Sequence, residues 1–479
     1  VGIDTLTYAG GTEVVIEVVQ GERTINGDVM ITGEFSMSEP ELLRRLDLEK
    51  GSPFLPGRIG DSARRLVRYM GDSGRPFAQV WITGMSYDPG TNSMDITVSI
   101  YEGDRAVVSQ VVFEGISKTD STIAGRIARL ERGSAFSERR MEKGVRYLTG
   151  SRIFESVGQP RVARRDASRV DLFIPVTEKK HANSFSGVFG FSKKDNGKYQ
   201  ANGSIEMVLT NIGGKGRDVR FDWLNDGRKY SRTRLEAGEP FLFSSPLRLD
   251  MEVGQAVNDT IYDMISGGMV LRFPLGPAWS IGGGMAGDRT VFGDDSGLDR
   301  SSRQRYRLDL RRDAGTDWTL DIRLEGARKN KVMTGGEREK ENQLIYDATL
   351  EWAAAITGSQ VVAARLVSQG VLARGDISLS EMFPLGGAKH LRGYRENQFR
   401  GEKVEYLSLE YRFGGENRIF LFDDLGGFYR KDEGWTVKNG FGFGLRSSSR
   451  AGTIELSFAV GDKFSLGETK IHISLIEVF

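Results

Sequence analysis

The sequence predicts a membrane all-β fold, a 16-stranded antiparallel transmembrane β-barrel preceded by small α+β domains of β-α-α-β-β order. Three observations lead to this prediction. The amino-terminal third contains an internal repeat, residues 184–479 alternate apolar and polar side chains, and Gly makes up 61 of 479 residues. That share is well above the roughly 7% of average proteins. Together with 10% aromatic residues, it is typical of strands joined by many turns.

The repeat has a period of 82 residues. LEKGSPF at 48–54 matches LERGSAF at 130–136, and Gly33 and Gly115 are separated by the same 82 residues. Each copy begins with an alternating strand that ends at its glycine, continues through two helices broken by GSPF or GSAF, and closes with two strands. This order predicts two successive α+β domains.

A further, partial copy is expected at the amino terminus. Residues 5–20 match the closing strands at 85–102, so the chain is expected to begin inside an earlier repeat, with at least one more repeat upstream. The alternative is a stray hairpin that belongs to no domain. The predicted organisation is 1–24 as closing strands of a truncated repeat, 25–104 and 105–180 as α+β domains, and 181–479 as a barrel with an inward plug loop at about 372–401.

The alternating part of the chain predicts strands that are long enough to cross a bilayer. Eleven segments precede the loop and five follow it, and the even total suits a bacterial single-chain barrel. In EYLSLEYRF (405–413), Leu407, Leu409 and Tyr411 fall on one face and Ser408 on the other. One face suits lipid and the other a wet lumen. A soluble propeller is the alternative, but it would need buried strand runs and a blade repeat, which the sequence lacks.

Charge and cysteine content exclude several partners and chemistries. Lys+Arg total 66 and Asp+Glu total 65, a net charge of +1. This balance argues against nucleic acid as a partner, because proteins that bind it usually carry a basic excess. The chain has no Cys, so neither a disulfide framework nor thiolate chemistry is expected. No run of 18 apolar residues marks a transmembrane helix.

No enzyme site is evident. His181, His390 and His472 are far apart, and none stands in a pattern with the serine and acid of a hydrolytic triad or with other metal ligands. Glycines at 213–216 and 266–268 lie between strands with no helix after them, so they form turns rather than phosphate-binding loops. We therefore expect no catalytic residue, no metal and no cofactor, and a lipolytic barrel enzyme is disfavoured.

The stretch EMFPLGGAKHLRGYRENQFRG at 381–401 is too polar for a core strand and too rich in charged and aromatic residues for a spacer. A buried loop must satisfy its polar groups, and the planar fork of Arg392 can bind two carboxylates at once. Glu410 and Asp424 lie on adjacent predicted strands with inward side chains, so both can reach that guanidinium. Gly393 allows the backbone to approach the wall closely.

Other side chains around this ion pair have secondary roles in the prediction. Tyr394 and Phe422 are expected to pack beside the pair and limit the access of water. Arg395, Glu396 and Arg400 have no assigned partner. They are expected to form a solvated face of the lumen.

These motifs are similar to those of the BamA/TamA family of outer-membrane assembly barrels, and the repeats resemble POTRA domains. GGAKHLRGY followed by FDDLG carries the resemblance. One departure is Asp423, whose position in the alternation would face lipid. The resemblance implies a plug-loop motif of Leu391, Arg392, Gly393 and Tyr394, and a loop-anchoring barrel wall of Glu410, Phe422, Asp424 and Gly426.

The final stretch, KIHISLIEVF, resembles the carboxy-terminal strand signal of outer-membrane barrels because it alternates and ends in an aromatic residue. Glu477 breaks the alternation. The expected signal residues are Ile471, Ile473, Leu475 and Phe479.

The resemblance implies a function in outer-membrane protein assembly, insertion or translocation. POTRA domains in the periplasm would receive unfolded clients, and the barrel would insert them through a weak seam between its first and last strands. The implied partners are the outer-membrane lipid bilayer, unfolded outer-membrane or secreted proteins, and accessory periplasmic or lipoprotein subunits. The implied location is the outer membrane of a Gram-negative-type bacterium. The alternative is a passive or partner-secretion channel gated by the plug loop.

Overall fold

The structure is a computed structural model. It describes residues 2–8, 11–17, 22–151, 153–179, 183–193, 199–226, 229–259, 261–276, 278–293, 297–312, 318–388, 390–449, 452–462 and 470–478. The chain divides into two compact units. One comprises Val1–Val112, Leu130–Lys143 and Pro160–Ile174, and the other comprises Phe113–Arg129, Gly144–Gln159 and Pro175–Phe479.

The chain begins with an antiparallel hairpin and a first α+β domain. The elements are β1 (Gly2–Tyr8), β2 (Gly11–Glu17), β3 (Ile25–Glu34), α1 (Glu39–Leu46), α2 (Pro56–Asp72), β4 (Gln79–Asp88) and β5 (Ser93–Tyr101). The sheet order is β3-β5-β4, with β3 parallel and β4 antiparallel to β5. Leu46 and Leu66 from the two helices pack on Val98 and Ile100 of the central strand, and all four are fully buried.

A second α+β domain repeats this element order with one difference. Its elements are β6 (Val107–Glu114), α3 (Ser121–Ala128), α4 (Glu138–Thr149), β7 (Phe154–Val157), β8 (Arg161–Arg164) and β9 (Arg169–Glu178). The first of the two closing strands is divided into β7 and β8, which both pair with β9. The division lies at Pro160, which has no N–H to donate to a ladder.

The 82-residue repeat is preserved in the backbone as well as in the sequence. Gly33 and Gly115 have φ of 106° and 102°. A Cβ on them would lie 2.1 Å from the carbonyl oxygen of Ile100 and 2.2 Å from that of Val176. No larger residue fits either position, so the glycine that ends each opening strand is required by close contact with the neighbouring strand.

The rest of the chain forms a closed antiparallel barrel of sixteen strands, which confirms the predicted fold class. Between its eleventh and twelfth strands lies a loop that contains the short hairpin β21 (Phe383–Leu385) and β22 (Phe399–Gly401). The barrel strands are β10 (Ser184–Lys193), β11 (Tyr199–Ile212), β12 (Arg217–Asn225), β13 (Tyr230–Glu239), β14 (Arg248–Asn258), β15 (Tyr262–Pro274), β16 (Trp279–Phe292), β17 (Leu298–Arg312), β18 (Trp318–Met333), β19 (Arg338–Thr357), β20 (Gln360–Ala373), β23 (Lys403–Gly414), β24 (Arg418–Arg430), β25 (Gly434–Ser449), β26 (Gly452–Val460) and β27 (Lys470–Val478).

The two faces of the barrel wall have opposite character. Leu409 and Phe413 on β23 point outward and are exposed, whereas Ser408, the residue before Leu409, points inward and is buried. The lumen contains paired charges, such as Arg307 with Glu325 at 2.6 Å. Charges can be buried in this way only when each has a partner. Among the described residues, no helix combines the length and the hydropathy needed to span a bilayer.

Glu178, at the end of β9, supports the turn that leads into α3. Its carboxylate accepts hydrogen bonds from the backbone N–H groups of Ser117 at 2.9 Å, Lys118 at 3.0 Å and Thr119 at 2.7 Å. Burial alone would raise the pKa of Glu178, but these hydrogen bonds and those of the hydroxyl groups hold it at about 2. The carboxylate therefore stays ionised far below the ordinary range of Glu.

We expect the turn at 117–119 to loosen in acid. Because the pKa of Glu178 in the folded state lies below its ordinary value of 4.5, its stabilising effect is complete above pH 4.5 and disappears as the pH falls toward 2. Glu178→Gln should cost about 1–2 kcal/mol after allowance for solvent screening. Hydrogen exchange of the three amides in the full chain measures both effects. Glu155→Gln, at an exposed carboxylate of β7, is the control, and equal protection in both variants would contradict the prediction.

Candidate functional site

The candidate site is the loop between β20 and β23 together with the inner wall on which it lies. Leu391 is fully buried, in a cluster with Leu385, Tyr406 and Phe428. Leu385 comes from the loop hairpin, and the other two partners come from β23 and β24. The loop therefore has a hydrophobic core of its own against the wall, and this core positions the next residue, Arg392.

Arg392 is bound to both carboxylates that the sequence assigned to it. Its Nε donates to Asp424 Oδ2 and its Nη2 donates to Asp424 Oδ1, each at 2.7 Å, which makes a bidentate pair. Its Nη1 donates to Glu410 Oε1 at 2.7 Å. The backbone N–H of Arg392 also donates to Asp424, at 3.0 Å. Asp424 is fully buried and Arg392 is 6% exposed, so this contact is shielded from water.

Neighbouring side chains complete the ion pair. The hydroxyl of Ser408 donates to Asp424 at 2.6 Å and accepts from Arg392 at 3.0 Å. The guanidinium carbon of Arg392 lies 3.6 Å above the ring of Phe422, a cation–π geometry. Burial by itself would lower the pKa of Arg392, but the hydrogen bonds and charges of Asp424 and Glu410 raise it. The guanidinium thus stays charged and bound.

Glycines bring the loop backbone into contact with the wall. Gly393 has φ of 91°, and a Cβ there would lie 2.8 Å from the carbonyl of Val460. On β25, a Cβ at Gly440 would lie 1.9 Å from the carbonyl oxygen of Arg392. On β24, a Cβ at Gly426 would lie 3.0 Å from the Cδ2 of Leu385. Gly426 and Gly440 leave space on the wall that the loop occupies, and Gly393 allows the loop to approach Val460.

The glycines of β25 were not among the predicted site residues. Gly440, Gly442 and Gly444 face inward, and a Cβ at the last two would collide with the rings of Phe422 and Phe420. The signal was present in NGFGFGL, because three glycines alternate with exposed Phe441, Phe443 and Leu445. Strand interiors disfavour glycine, so a stripe of it on one face indicates that something lies against that face.

Tyr394 connects the loop to two segments of the wall that the sequence did not indicate. Its hydroxyl donates to the carbonyl of Asn439 at 3.1 Å and accepts from the N–H of Asp462 at 2.9 Å. Its ring packs edge-on against Phe399, with ring centroids 5.1 Å apart. Burial raises the pKa of Tyr394 to about 12, so the hydroxyl keeps its proton. Asp423 is exposed on the outer face, as its place in the alternation predicted, and accepts a hydrogen bond from Asn439 at 2.7 Å.

The proposed carboxy-terminal signal is described only in part. Ile471 lies on β27 and is 59% exposed. Ile473 and Leu475 lie on the same strand, but their side chains are outside the description, as is all of Phe479. The role of these residues as a signal stays a prediction.

The chain is similar to known proteins over most of its length. Residues 25–103 match the POTRA family, described as a surface antigen variable number repeat. The chain is 22% identical over 465 residues to the outer membrane protein assembly factor BamA of Nitratidesulfovibrio vulgaris, which covers 92% of this chain. The chain spans 57% of the length of that relative.

Two solved structures share the fold. BamA from Haemophilus ducreyi lacking POTRA domains 1-3 aligns with a TM-score of 0.55 and 14% identity, over 95% of this chain and all of the other. CdiB from Escherichia coli aligns with a TM-score of 0.60 and 13% identity, over 99% of this chain and 92% of the other. The chain shares its fold with these barrels, and its sequence motifs resemble those of the BamA/TamA-type family. Within this BamA/TamA-type fold, the Arg392 site joins the plug loop to the twelfth and thirteenth strands.

Removal of the Arg392 side chain should destabilise the BamA/TamA-type barrel. Arg392→Ala leaves the fully buried Asp424 and the half-buried Glu410 without their shared cation, and breaking a buried ion pair typically costs about 3–5 kcal/mol. Thermal unfolding of the purified barrel should shift to lower temperature. Arg395→Ala, at an exposed position of the same loop, is the matched control. An unfolding temperature that is the same for both variants would show that the ion pair carries no stability.

Filling the space at Gly440 should displace the loop without any change in charge. Gly440→Ala places a methyl group where the carbonyl of Arg392 lies, and overpacking of this kind typically costs about 1–3 kcal/mol. Trypsin should then cleave the loop faster than in the unmodified chain. Gly326→Ala on β18 is the control, because a Cβ there meets nothing within 4 Å. Equal cleavage rates in the two variants would mean that docking of the loop does not depend on the space at Gly440.

Proposed function

We propose that this chain is an outer-membrane protein assembly or translocation factor, in which POTRA domains receive unfolded clients and the barrel inserts them through its seam. The observation that carries the proposal is the short pairing between the first and last barrel strands. β10 and β27 pair over four residues, Ser184–Gly187 with Leu475–Val478. On its other side, β10 pairs with β11 over ten residues.

This difference makes the seam the weakest described joint of the wall. The stability of a sheet comes from its ladder hydrogen bonds and from contacts between cross-strand side chains. A joint of four residue pairs loses few of either when it opens. Gly187 weakens this joint further, because glycine adds no side chain to the ladder. The seam can therefore exchange its pairing for that of a client strand at low cost.

The POTRA domains supply surfaces for an extended client. In the first domain, β4 is the edge strand of the sheet. Trp81 and Met85 on this strand are 47% and 59% exposed. A client segment can add to such an edge through backbone hydrogen bonds, with apolar side chains providing contact and little demand on sequence. Unfolded outer-membrane or secreted proteins are clients of this chemistry.

The proposal extends to location, partners and chemistry. The barrel would lie in the outer membrane of a Gram-negative-type bacterium, with the POTRA domains in the periplasm. Accessory periplasmic or lipoprotein subunits are further candidate partners. We also propose that the chain has no enzymatic activity, since its three histidines are scattered. In the described part of the chain, no group of three or more His, Asp or Glu side chains could hold a metal ion.

A covalent lock across the seam tests the proposal. Because the chain has no Cys, a single disulfide can be placed between Ser186→Cys and Ile476→Cys, which are Cα partners on β10 and β27. Insertion of a barrel client into liposomes that contain the locked protein should stop and should return on reduction. The control lock joins Leu249→Cys and Leu271→Cys on β14 and β15.

Two outcomes would contradict a seam-dependent function. Full insertion activity in the oxidised seam variant would show that opening is not required. Large, steady conductance in planar bilayers, equal in the locked and reduced states, would favour the alternative of a passive or partner-secretion channel gated by the loop.

A further inference from the structure

The plug loop is held at positions far from the Arg392 site. Glu381, near the start of the loop, is 8% exposed and reaches strands on another part of the wall. Its Oε1 accepts from Arg303 at 3.0 Å and from Gln343 at 3.1 Å. Its Oε2 accepts from Lys329 and from the N–H of Ser378, the latter at 3.0 Å. These wall residues lie on β17, β18 and β19.

The Glu381 contact is as well buried as the Arg392 contact. Lys329 is fully buried and Arg303 is 7% exposed. Burial alone would raise the pKa of Glu381, but the charges of Arg303 and Lys329 lower it to about 2. The carboxylate is therefore ionised at any physiological pH. Lys329 would become a buried cation without an acidic partner in this cluster if Glu381 were neutral, so the pair is strongly held.

A third contact lies farther around the barrel. The guanidinium of Arg400 stands over the ring of Tyr230 on β13, with its carbon 4.5 Å from the ring centroid, and approaches the hydroxyl of Tyr262 on β15 at 3.5 Å. It also donates to the carbonyl of Leu379 at 3.4 Å, and Leu379 packs on the same aromatic cluster. The expectation that Arg400 forms a solvated face is therefore wrong, because it takes part in the attachment of the loop.

We propose that Glu381, Leu379 and Arg400 form a second footing, and that the loop is a brace across the lumen rather than a plug held at one point. The two ionic contacts have opposite polarity. At Arg392 the loop supplies the cation and the wall supplies carboxylates, whereas at Glu381 the loop supplies the anion and the wall supplies cations. Neither loop residue can occupy the other position without meeting like charges, so the loop has one pose.

The brace determines which part of the wall can move. The contacts of the loop lie on strands from β13 to β26, where Gly393 meets the carbonyl of Val460, and they hold these strands in one arrangement. The short β10–β27 joint described above lies outside that range. The brace therefore confines opening to the seam. This last step rests on the proposed function, but the existence of the second footing does not.

Hydrogen exchange of the full chain in detergent or nanodiscs tests the second footing without a client. Glu381→Gln should speed amide exchange about tenfold in the segments of β17–β19 around Arg303, Lys329 and Gln343, since charge-assisted hydrogen bonds are lost there. Exchange at Leu391 and Arg392 should rise less, because that footing remains. Glu337→Gln, at an exposed carboxylate just before β19, is the matched control.

A second variant covers the case in which Glu381→Gln fails to fold. Arg400→Ala removes the stacking on Tyr230 without burying a charge, and it should raise exchange on β13 and β15. Unchanged exchange on β17–β19 in Glu381→Gln, or on β13 and β15 in Arg400→Ala, would overturn the second footing. If either variant speeds exchange at β10 and β27 but leaves it unchanged on the wall strands that the loop contacts, the proposal that the loop braces these strands would be overturned. If the disulfide across the seam did not stop insertion, that result would contradict the proposed function but would not bear on the second footing.

Discussion

A buried guanidinium in the barrel lumen organises this structure. Arg392 is 6% exposed and Asp424 is fully buried, and neither charge can be tolerated there without the other. Once the pair forms, the loop backbone must lie close to β24 and β25, and the wall must leave room for it. The glycines at 393, 426 and 440, the ring of Phe422 and the hydroxyl of Ser408 all follow from this requirement.

The lumen follows the same rule on a larger scale. Charged side chains point inward from most strands, and they are arranged as chains of alternating sign, such as Arg272 with Asp309 and Arg303 with Asp288. Such chains satisfy each charge from its neighbours on adjacent strands. The loop supplies the partner charge at two places on the wall. Arg392 is the cation beside Asp424 of β24, and Glu381 is the anion beside Lys329 of β18. The ion pairs and the hydrophobic cluster around Leu391 together determine the position of the loop.

Local patterns predicted the architecture well. Alternation with period two and regular turns gave the number of barrel strands, because each strand carries its own signal. The sequence also allowed the contact of Arg392 with Glu410 and Asp424 to be predicted, because the two acids lie on neighbouring strands that directly follow the loop. The sequence did not indicate the partners of Glu381 and Arg400 on the barrel wall, because these lie 38 or more residues earlier in the chain. Which strands face each other across a lumen depends on tilt and stagger of the whole barrel, and no short window of sequence contains that information. The sequence predicted that Tyr394 packs beside the Arg392 ion pair. Its hydrogen bonds to the backbone of Asn439 and Asp462 could not be predicted, because every residue type has these backbone groups.

The contact of Tyr394 links the loop to the completeness of the carboxy-terminal part of the barrel wall. The described β26 ends at Val460, opposite Phe441, while β25 begins at Gly434. Asn439 lies just beyond the last residue pair of the β25–β26 ladder. Its carbonyl accepts a hydrogen bond from the hydroxyl of Tyr394, and its N–H donates to the carboxylate of Asp462. That part of the wall cannot be finished by strand pairing alone. A docked loop and a complete carboxy-terminal wall therefore depend on each other, because displacement of Tyr394 would remove the hydrogen bond that its hydroxyl donates to the carbonyl of Asn439.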